Sequence, residues 1–223
     1  MRVGKVCHAG KHGTSQESDE DYRSVAQCPT ERLFKEWSDR RLPLAPEAGS
    51  QLLRDARDVG RYTAAAVDRE LLIGVISDTH RLLRREALPA LAGVKLLIHA
   101  GDIGSPDILP ALARLAPVEA VRGNVDTEVW ARPIPATRVV EVQGRSLYVL
   151  HDLKQLDLDP SAAGFNAVIC GHSHVPANEV RDGVLYFNPG SAGPRRFRLP
   201  VSVGRLWVSA TGIRAEIVML NVD

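Results

Sequence analysis

Residues 71–80 read Leu71-Leu72-Ile73-Gly74-Val75-Ile76-Ser77-Asp78-Thr79-His80, and the fold follows from how this stretch changes character. An apolar, partly β-branched run stops abruptly at Ser77, which is how a buried parallel strand delivers polar residues to its carboxyl end. In extended backbone side chains alternate faces, so Asp78 and His80, two apart, are expected to point the same way. One oxygen donor and one nitrogen donor make half of a metal shell.

Working outward, the pattern repeats. Arg84 to Ala92 reads as a short helix. Val94 to Ile98 is a second apolar strand that runs into His99-Ala100-Gly101-Asp102. Ser105 suits a helix N-cap, with Pro106 at the first helical position and Ile108, Leu109, Leu112 and Leu115 on one face, ended by Pro117. Val118 to Val121 is a third strand, ending at Arg122-Gly123-Asn124. Strands alternating with short helices imply parallel pairing, with ligands gathering beyond the carboxyl ends.

The texture then changes to hairpins. Thr137 to Val142 and Arg145 to Leu150 flank Gln143-Gly144, and the second of them ends at His151. Ala167 to Cys170 ends at Gly171-His172-Ser173-His174. Val175 to Val180 and Val184 to Phe187 flank Asp182-Gly183, and Val201 to Val208 with Ile213 to Leu220 close the chain as an antiparallel pair. The fold class is α/β (α+β), a sandwich of two mixed sheets flanked by helices.

Each of these strand ends carries nitrogen or oxygen donors: Asp78 and His80, Asp102, Asn124, His151, then His172 and His174. Seven donors exceed one tetrahedral shell but suit two ions about 3.5–4 Å apart that share a carboxylate, an arrangement used in phosphoryl transfer. Imidazole, carboxylate and amide without thiolate favour Mn²⁺, with Ni²⁺, Zn²⁺ or Fe²⁺ as alternatives, and argue against a structural zinc site. With 28 Lys and Arg against 27 Asp and Glu, the net charge of +1 gives no global field for nucleic acid or an acidic membrane. Aromatic-basic stripes are also missing, so no dedicated nucleic-acid groove is expected. No apolar run approaches the roughly 20 residues that span a bilayer, and three cysteines without ligand-type spacing fit a reducing cytoplasm.

The ordered motifs Asp78-Thr79-His80, Gly101-Asp102, Gly123-Asn124, His151 and Gly171-His172-Ser173-His174 resemble those of the calcineurin-like metallophosphoesterase superfamily. The short domain, the His99-Ala100-Gly101-Asp102 run and the Asn188-Pro189-Gly190-Ser191 loop are similar to those of the YfcE-type small bacterial and archaeal phosphodiesterases. The resemblance implies a four-layer β-sandwich in which Asp78, His80 and His174 hold one metal, Asn124, His151 and His172 the other, and Asp102 bridges them. It implies hydrolysis of a small phosphate ester, most readily a diester, by a hydroxide bridging two metal ions, with Asp102, Asn124 and His151 taking part. A phosphomonoesterase or nuclease is the nearby enzymatic alternative. A non-catalytic scaffold is the alternative of another class, because the retromer subunit that shares this fold is a protein-interaction module. A homo-oligomer is compatible with either.

Two positions depart from the family's pattern. Val125 follows the Asn where many members have His, so help to a poor leaving group should be weaker and activity best seen on activated aryl esters. Asp152 stands after His151 where Gly is usual, and could tighten a metal, repel an anion or point away. Around these, His99 reads as a supporting or core histidine, Asp126 as a brace for Asn124, and Cys170 as a small apolar residue. Asn188, Gly190 and Ser191 form either a pocket wall or a structural loop. Arg195, Arg196 and Arg198 either hold a substrate's non-scissile phosphate or form a solvated face, and Arg122 has the same two readings.

Residues 1–70 differ in composition, being rich in Ser, Asp, Glu, Arg and Pro. They read as an extension to a domain of residues 71–223, flexible or carrying one amphipathic helix over Glu47 to Ala66. Val67 is an alternative start of translation. Cys7, His8 and His12 lack a fourth partner and read as part of a polar tail.

Overall fold

The hydrophobic runs form ten strands in the computed structural model, which describes residues 70–222. In chain order these are β1 (Leu71–Ile76), β2 (Leu96–Ala100), β3 (Val118–Val121), β4 (Thr137–Val142), β5 (Arg145–Leu150), β6 (Ala167–Ile169), β7 (Ala177–Arg181), β8 (Val184–Asn188), β9 (Ser202–Val208) and β10 (Ile213–Met219). Two short helices, α1 (Ala87–Ala90) and α2 (Ile108–Leu112), interrupt the first half. The expectations for residues 1–69 lie outside the described residues.

The strands make two mixed five-stranded sheets, β10-β9-β1-β2-β3 and β4-β5-β6-β8-β7. β1 is the centre of the first, parallel to β2 with Ile73 opposite Leu96 and antiparallel to β9 with Ile73 opposite Leu206. Ile73 and Val75 face the other sheet while Leu91 and Val94 lie against Gly74 on the opposite face, so Ile73 to Ile76 are buried from both sides and the run is continuously apolar. The main core lies between the sheets, where Ile73, Val75 and Ile98 meet Leu147, Val149, Ile169 and Phe187. A second cluster on the outer face of the other sheet packs Leu153 and Leu156 over Leu150, Val168 and Val184.

Gln143-Gly144 and Asp182-Gly183 turn the two hairpins with φ of 51° and 71°, and of 50° and 79°, the paired left-handed conformation that matches strand twist. The helical layers are thinner than the sequence suggested. A helix begun at Arg84 would carry Pro89 in its interior, where the ring strikes the carbonyl of Arg85. The observed helix begins at Ala87, so Pro89 falls in its first turn. The same argument moves α2. Started at Pro106 it would bury Pro110 one turn in; it starts at Ile108 instead, with Asp107 rather than Ser105 at the N-cap position and no side-chain cap. Arg205 Nε, donating to the Ala90 carbonyl at 2.7 Å, ties the end of α1 to β9.

Candidate metal centre

Beyond its last residue, β1 keeps pairing with the chain after β2: Asp78 N–H donates to Gly101 O, His80 N–H to Asp102 O and Arg81 N–H to Ile103 O, each at 3.0 Å. Two strand ends are thereby zipped into one platform. The loop after β6 is fastened to the same platform by His172 N–H, which donates to Asp78 Oδ2 at 3.1 Å, and by Asn188 Nδ2, which holds the Gly171 carbonyl at 2.7 Å. Asp126 braces the third strand end. Its Oδ2 accepts from Gly123 N–H at 2.8 Å and Ile103 N–H at 3.1 Å, and its Oδ1 from Gly104 N–H at 2.8 Å. It therefore positions Asp102 and Asn124 together, a wider role than the one read from sequence.

The strand-alternation argument for Asp78 and His80 does not describe what happens. β1 ends at Ile76, and Asp78 and His80 have φ of 55° and 43°. Asp102, His172 and His174 are also left-handed, at 54°, 66° and 58°. Each such residue costs on the order of 1 kcal/mol or more outside glycine, and five of the seven candidate ligands adopt this conformation. Left-handed turns, not pleat, aim these side chains at one space.

There the donors form two groups, Asp78 with His80 and His174, and Asp102 with His151 and His172. In the first, His174 Nε2 stands 3.2 Å and His80 Nε2 3.8 Å from Asp78 Oδ1, and the two imidazole nitrogens are 3.3 Å apart. In the second, His151 Nε2 is 3.3 Å from Asp102 Oδ1. Asn124 joins it through Oδ1, 3.0 Å from His172 Nδ1. Asp102 touches both groups, since its Oδ2 lies 3.7 Å from His80 Nε2. All seven residues singled out in the sequence are brought together.

The donor atoms are prepared for a cation. Asp78 uses Oδ2 to accept from Ser77 Oγ at 2.7 Å and from the His172 amide, which leaves Oδ1 buried without a hydrogen bond. His151 spends Nδ1 on the Ala100 carbonyl at 2.7 Å, which fixes the tautomer and leaves Nε2 buried and unpartnered. Orphaned buried atoms of this kind are costly, and a divalent ion satisfies them. Burial pushes the Asp78 carboxyl up to about 6, against the Ser77 hydrogen bond. Burial also lowers His80 and, together with the Arg196 charge, takes His174 down to about 4. For His151 burial acts downward, but the nearby Asp102 carboxylate and the Ala100 carbonyl outweigh it and raise the group. Asp102 is the complement: burial acts upward, and the nearby His151 ring with the Val125 N–H hydrogen bond holds it below the usual carboxylate range.

The glycines of the motifs have steric reasons. A Cβ on Gly123 would overlap Oδ1 and the backbone nitrogen of Asp102, and one on Gly171 would overlap Ser77 Oγ and come within 2.8 Å of Asp78 Oδ2. Each small residue is set by a ligand in a different motif, so the motifs fit together as one object.

The supporting residues sort themselves out. His99 is fully buried, takes the Gly101 N–H on Nδ1 at 3.3 Å and faces Thr79 Oγ1 with Nε2 at 3.0 Å. It supports the loop and is not a donor to the centre. Arg122 is drawn to the Ile134 carbonyl at 3.1 Å and Arg195 to that of Val222 at 3.1 Å. Of the basic cluster, Arg196 reaches inward. Asp152 also lies at the centre, with Oδ2 3.8 Å from His172 Nε2 and Oδ1 accepting from Lys154 N–H at 3.0 Å. Ser191 Oγ donates to the Asp78 carbonyl at 3.1 Å, so its loop is structural at that point. Ser77 was missed in the sequence; its place next to Asp78 was the available signal.

Residues 71–211 match the family model described as the calcineurin-like phosphoesterase superfamily domain. A protein named probable metallophosphoesterase in Methanothermobacter thermautotrophicus is 36% identical over 160 residues, which cover 66% of this chain and 92% of that one. The phosphodiesterase YfcE of Escherichia coli is 31% identical over 153 residues, 60% of this chain and 82% of its own. Among solved structures, an archaeal phosphodiesterase superposes with a TM-score of 0.57 at 26% identity, covering 66% of this chain and 100% of that one. None of the described helices is long and apolar enough to cross a membrane. With motifs, fold and family model in agreement, the chain belongs to the calcineurin-like phosphoesterase superfamily.

Proposed function

We propose that this protein is a two-metal phosphodiesterase of small phosphate esters. The observation that carries the reading is the placement of Asp102, whose Oδ2 faces His80 at 3.7 Å while Oδ1 faces His151 at 3.3 Å. One carboxylate with its oxygens turned to separate donor groups is suited to join two cations. In this assignment Asp78, His80 and His174 would hold one ion, Asn124, His151 and His172 the other, and Asp102 would serve both. Bound divalent ions, Mn²⁺ foremost with Ni²⁺, Zn²⁺ or Fe²⁺ as alternatives, would supply an activated water and neutralise charge on the phosphoryl oxygens.

The chain's own part is positioning. The Ala100 carbonyl keeps the His151 proton on Nδ1, and Ser77 with the His172 amide keeps Asp78 Oδ1 directed inward. Val125 follows Asn124 and carries no proton for a leaving group; its amide is spent on Asp102 Oδ1 at 3.0 Å. Esters with good leaving groups are therefore the better substrates. Three cysteines without ligand spacing support a reducing, cytoplasmic setting.

The test is hydrolysis of bis-p-nitrophenyl phosphate and p-nitrophenyl phosphate by metal-stripped protein titrated with Mn²⁺, Ni²⁺, Zn²⁺ and Mg²⁺. Diester activity restored by a transition metal supports the proposal, and a preference for the monoester would move it to a phosphomonoesterase. Two ions bound tightly with no turnover on either ester would leave the scaffold reading in its place.

A further inference from the structure

We propose that Arg196 is a substrate-binding residue of this site, donating from its guanidinium to a non-bridging oxygen of the phosphate group. The inference rests on the phosphoesterase reading of the same donors.

Arg196 Nη2 lies 3.4 Å from His80 Nε2. That nitrogen is the focus of the first donor group, with Asp78, Asp102 and His174 atoms all within 3.8 Å of it. A guanidinium carries five N–H donors in a rigid fork suited to phosphate oxygens. Four other arginines of the described residues are tied down: Arg81 pairs with Glu128, Arg138 with Glu119, Arg181 with Glu179, and Arg84 donates to the Gly193 carbonyl at 2.9 Å. Among the described residues no carboxylate stands in ion-pair distance of Arg196.

The loop places this exposed side chain beside His80. Its start is fixed by Gly193 N–H on the Asp78 carbonyl at 3.2 Å, and Leu199 N–H closes a turn on the Arg196 carbonyl at 3.0 Å. Phe197 is left-handed at φ 53° and 93% exposed. An aromatic residue is strained in that conformation, and the kink sends Phe197 to solvent while its neighbour faces the donors. A cation on His80 Nε2 would take the lone pair toward which Arg196 now donates and leave two positive charges side by side. An anion that touches both removes the conflict. A phosphate oxygen has that chemistry.

The experiment measures the affinity of Mn²⁺-loaded protein for inorganic phosphate by calorimetry, together with Mn²⁺ affinity and KM and kcat for bis-p-nitrophenyl phosphate. Arg196→Ala is expected to weaken phosphate by about tenfold or more, the scale of a charge-assisted hydrogen bond, and to raise KM. Arg196→Lys should recover part of the loss. Mn²⁺ should bind at least as tightly to Arg196→Ala, because a neighbouring positive charge is gone. Arg195→Ala, whose guanidinium faces the Val222 carbonyl, should bind phosphate as the parent does. Unchanged phosphate affinity in Arg196→Ala, an equal loss in Arg195→Ala, or weakened Mn²⁺ binding in Arg196→Ala would each overturn the proposal. If the parent cleaves no ester and Arg196→Ala still loses phosphate affinity, the anion site stands and the hydrolase reading falls.

Discussion

His151 and Asp102 face each other nitrogen to oxygen, Nε2 to Oδ1, across 3.3 Å. Each acts on the other against the effect of burial, raising His151 and lowering Asp102, and a metal ion held by Nε2 would compete with a proton for that nitrogen. Metal uptake near neutral pH is expected to release protons. Calorimetric titration with Mn²⁺ in buffers of different ionisation enthalpy reads this directly; identical heats in all buffers would contradict it.

Asp102→Asn keeps the shape of the side chain and removes the charge that two ions would share. Turnover of bis-p-nitrophenyl phosphate is expected to fall by more than about 100-fold, with two-ion binding reduced to one. The circular dichroism spectrum should not change, since asparagine tolerates the left-handed backbone that Asp102 adopts at φ 54°. Full activity would refute the bridging role.

Gly123→Ala places a methyl group on Asp102. The loop cannot retreat easily, because Asp126 holds both Gly123 and Ile103. A loss of about 1–3 kcal/mol in stability is expected from such overpacking, with metal affinity lowered in parallel. Urea denaturation and an Mn²⁺ titration of the same preparation measure the two.

His99 supplies a pH dependence with a definite sign. Burial takes it from 6.5 down to about 3 in the folded state, so below pH 6.5 the unfolded chain binds a proton that the folded one refuses. Its contribution is fully present above pH 6.5 and is lost progressively as pH falls toward 3. His99→Gln should be less stable at pH 7 yet lose less between pH 7 and pH 5, by roughly 1 kcal/mol or more. Urea midpoints at the two pH values decide it, and equal slopes for both proteins would count against this account.

Asp152 is anchored by Lys154 N–H on one oxygen and turns the other toward His172 Nε2 at 3.8 Å. His172 offers its Nδ1 on the Asn124 side, 3.0 Å from Oδ1, so Asp152 orients the ring from behind. Asp152→Asn is expected to weaken one of two bound ions by about tenfold and leave the other alone. A two-site Mn²⁺ titration unchanged from the parent would show that the carboxylate merely caps its turn.

Much of the architecture was legible because it rests on short-range rules. Apolar runs ending in Asp78, Asp102, Asn124 and His172 marked strand ends, and Gln143-Gly144 and Asp182-Gly183 marked hairpins. The helices are shorter than helical spacing alone predicts, because Pro89 and Pro110 clash with the carbonyl one turn back and keep each helix from starting earlier. What could not be read was the backbone of the ligands themselves. Alternation along a strand pairs Asp78 with His80 on paper, yet these residues, like His172 and His174, converge through left-handed turns held by contacts from distant segments. Arg196 was indistinguishable from Arg195 and Arg198 for the same reason: which of three neighbouring guanidinium groups comes near His80 is a matter of tertiary placement.

The left-handed conformations at Asp78, His80, Asp102, His172 and His174 mean that the fold is least content at the positions its chemistry needs most. Asparagine or glycine at such a position would relieve backbone strain and, at Asp78, remove a charge that burial disfavours. Variants that have lost their ligands are therefore candidates for the sturdier protein. In a library selected for thermal resistance alone, the centre would erode before the sheets did, and a survivor of that selection would be a well-folded sandwich with nothing left to bind a metal.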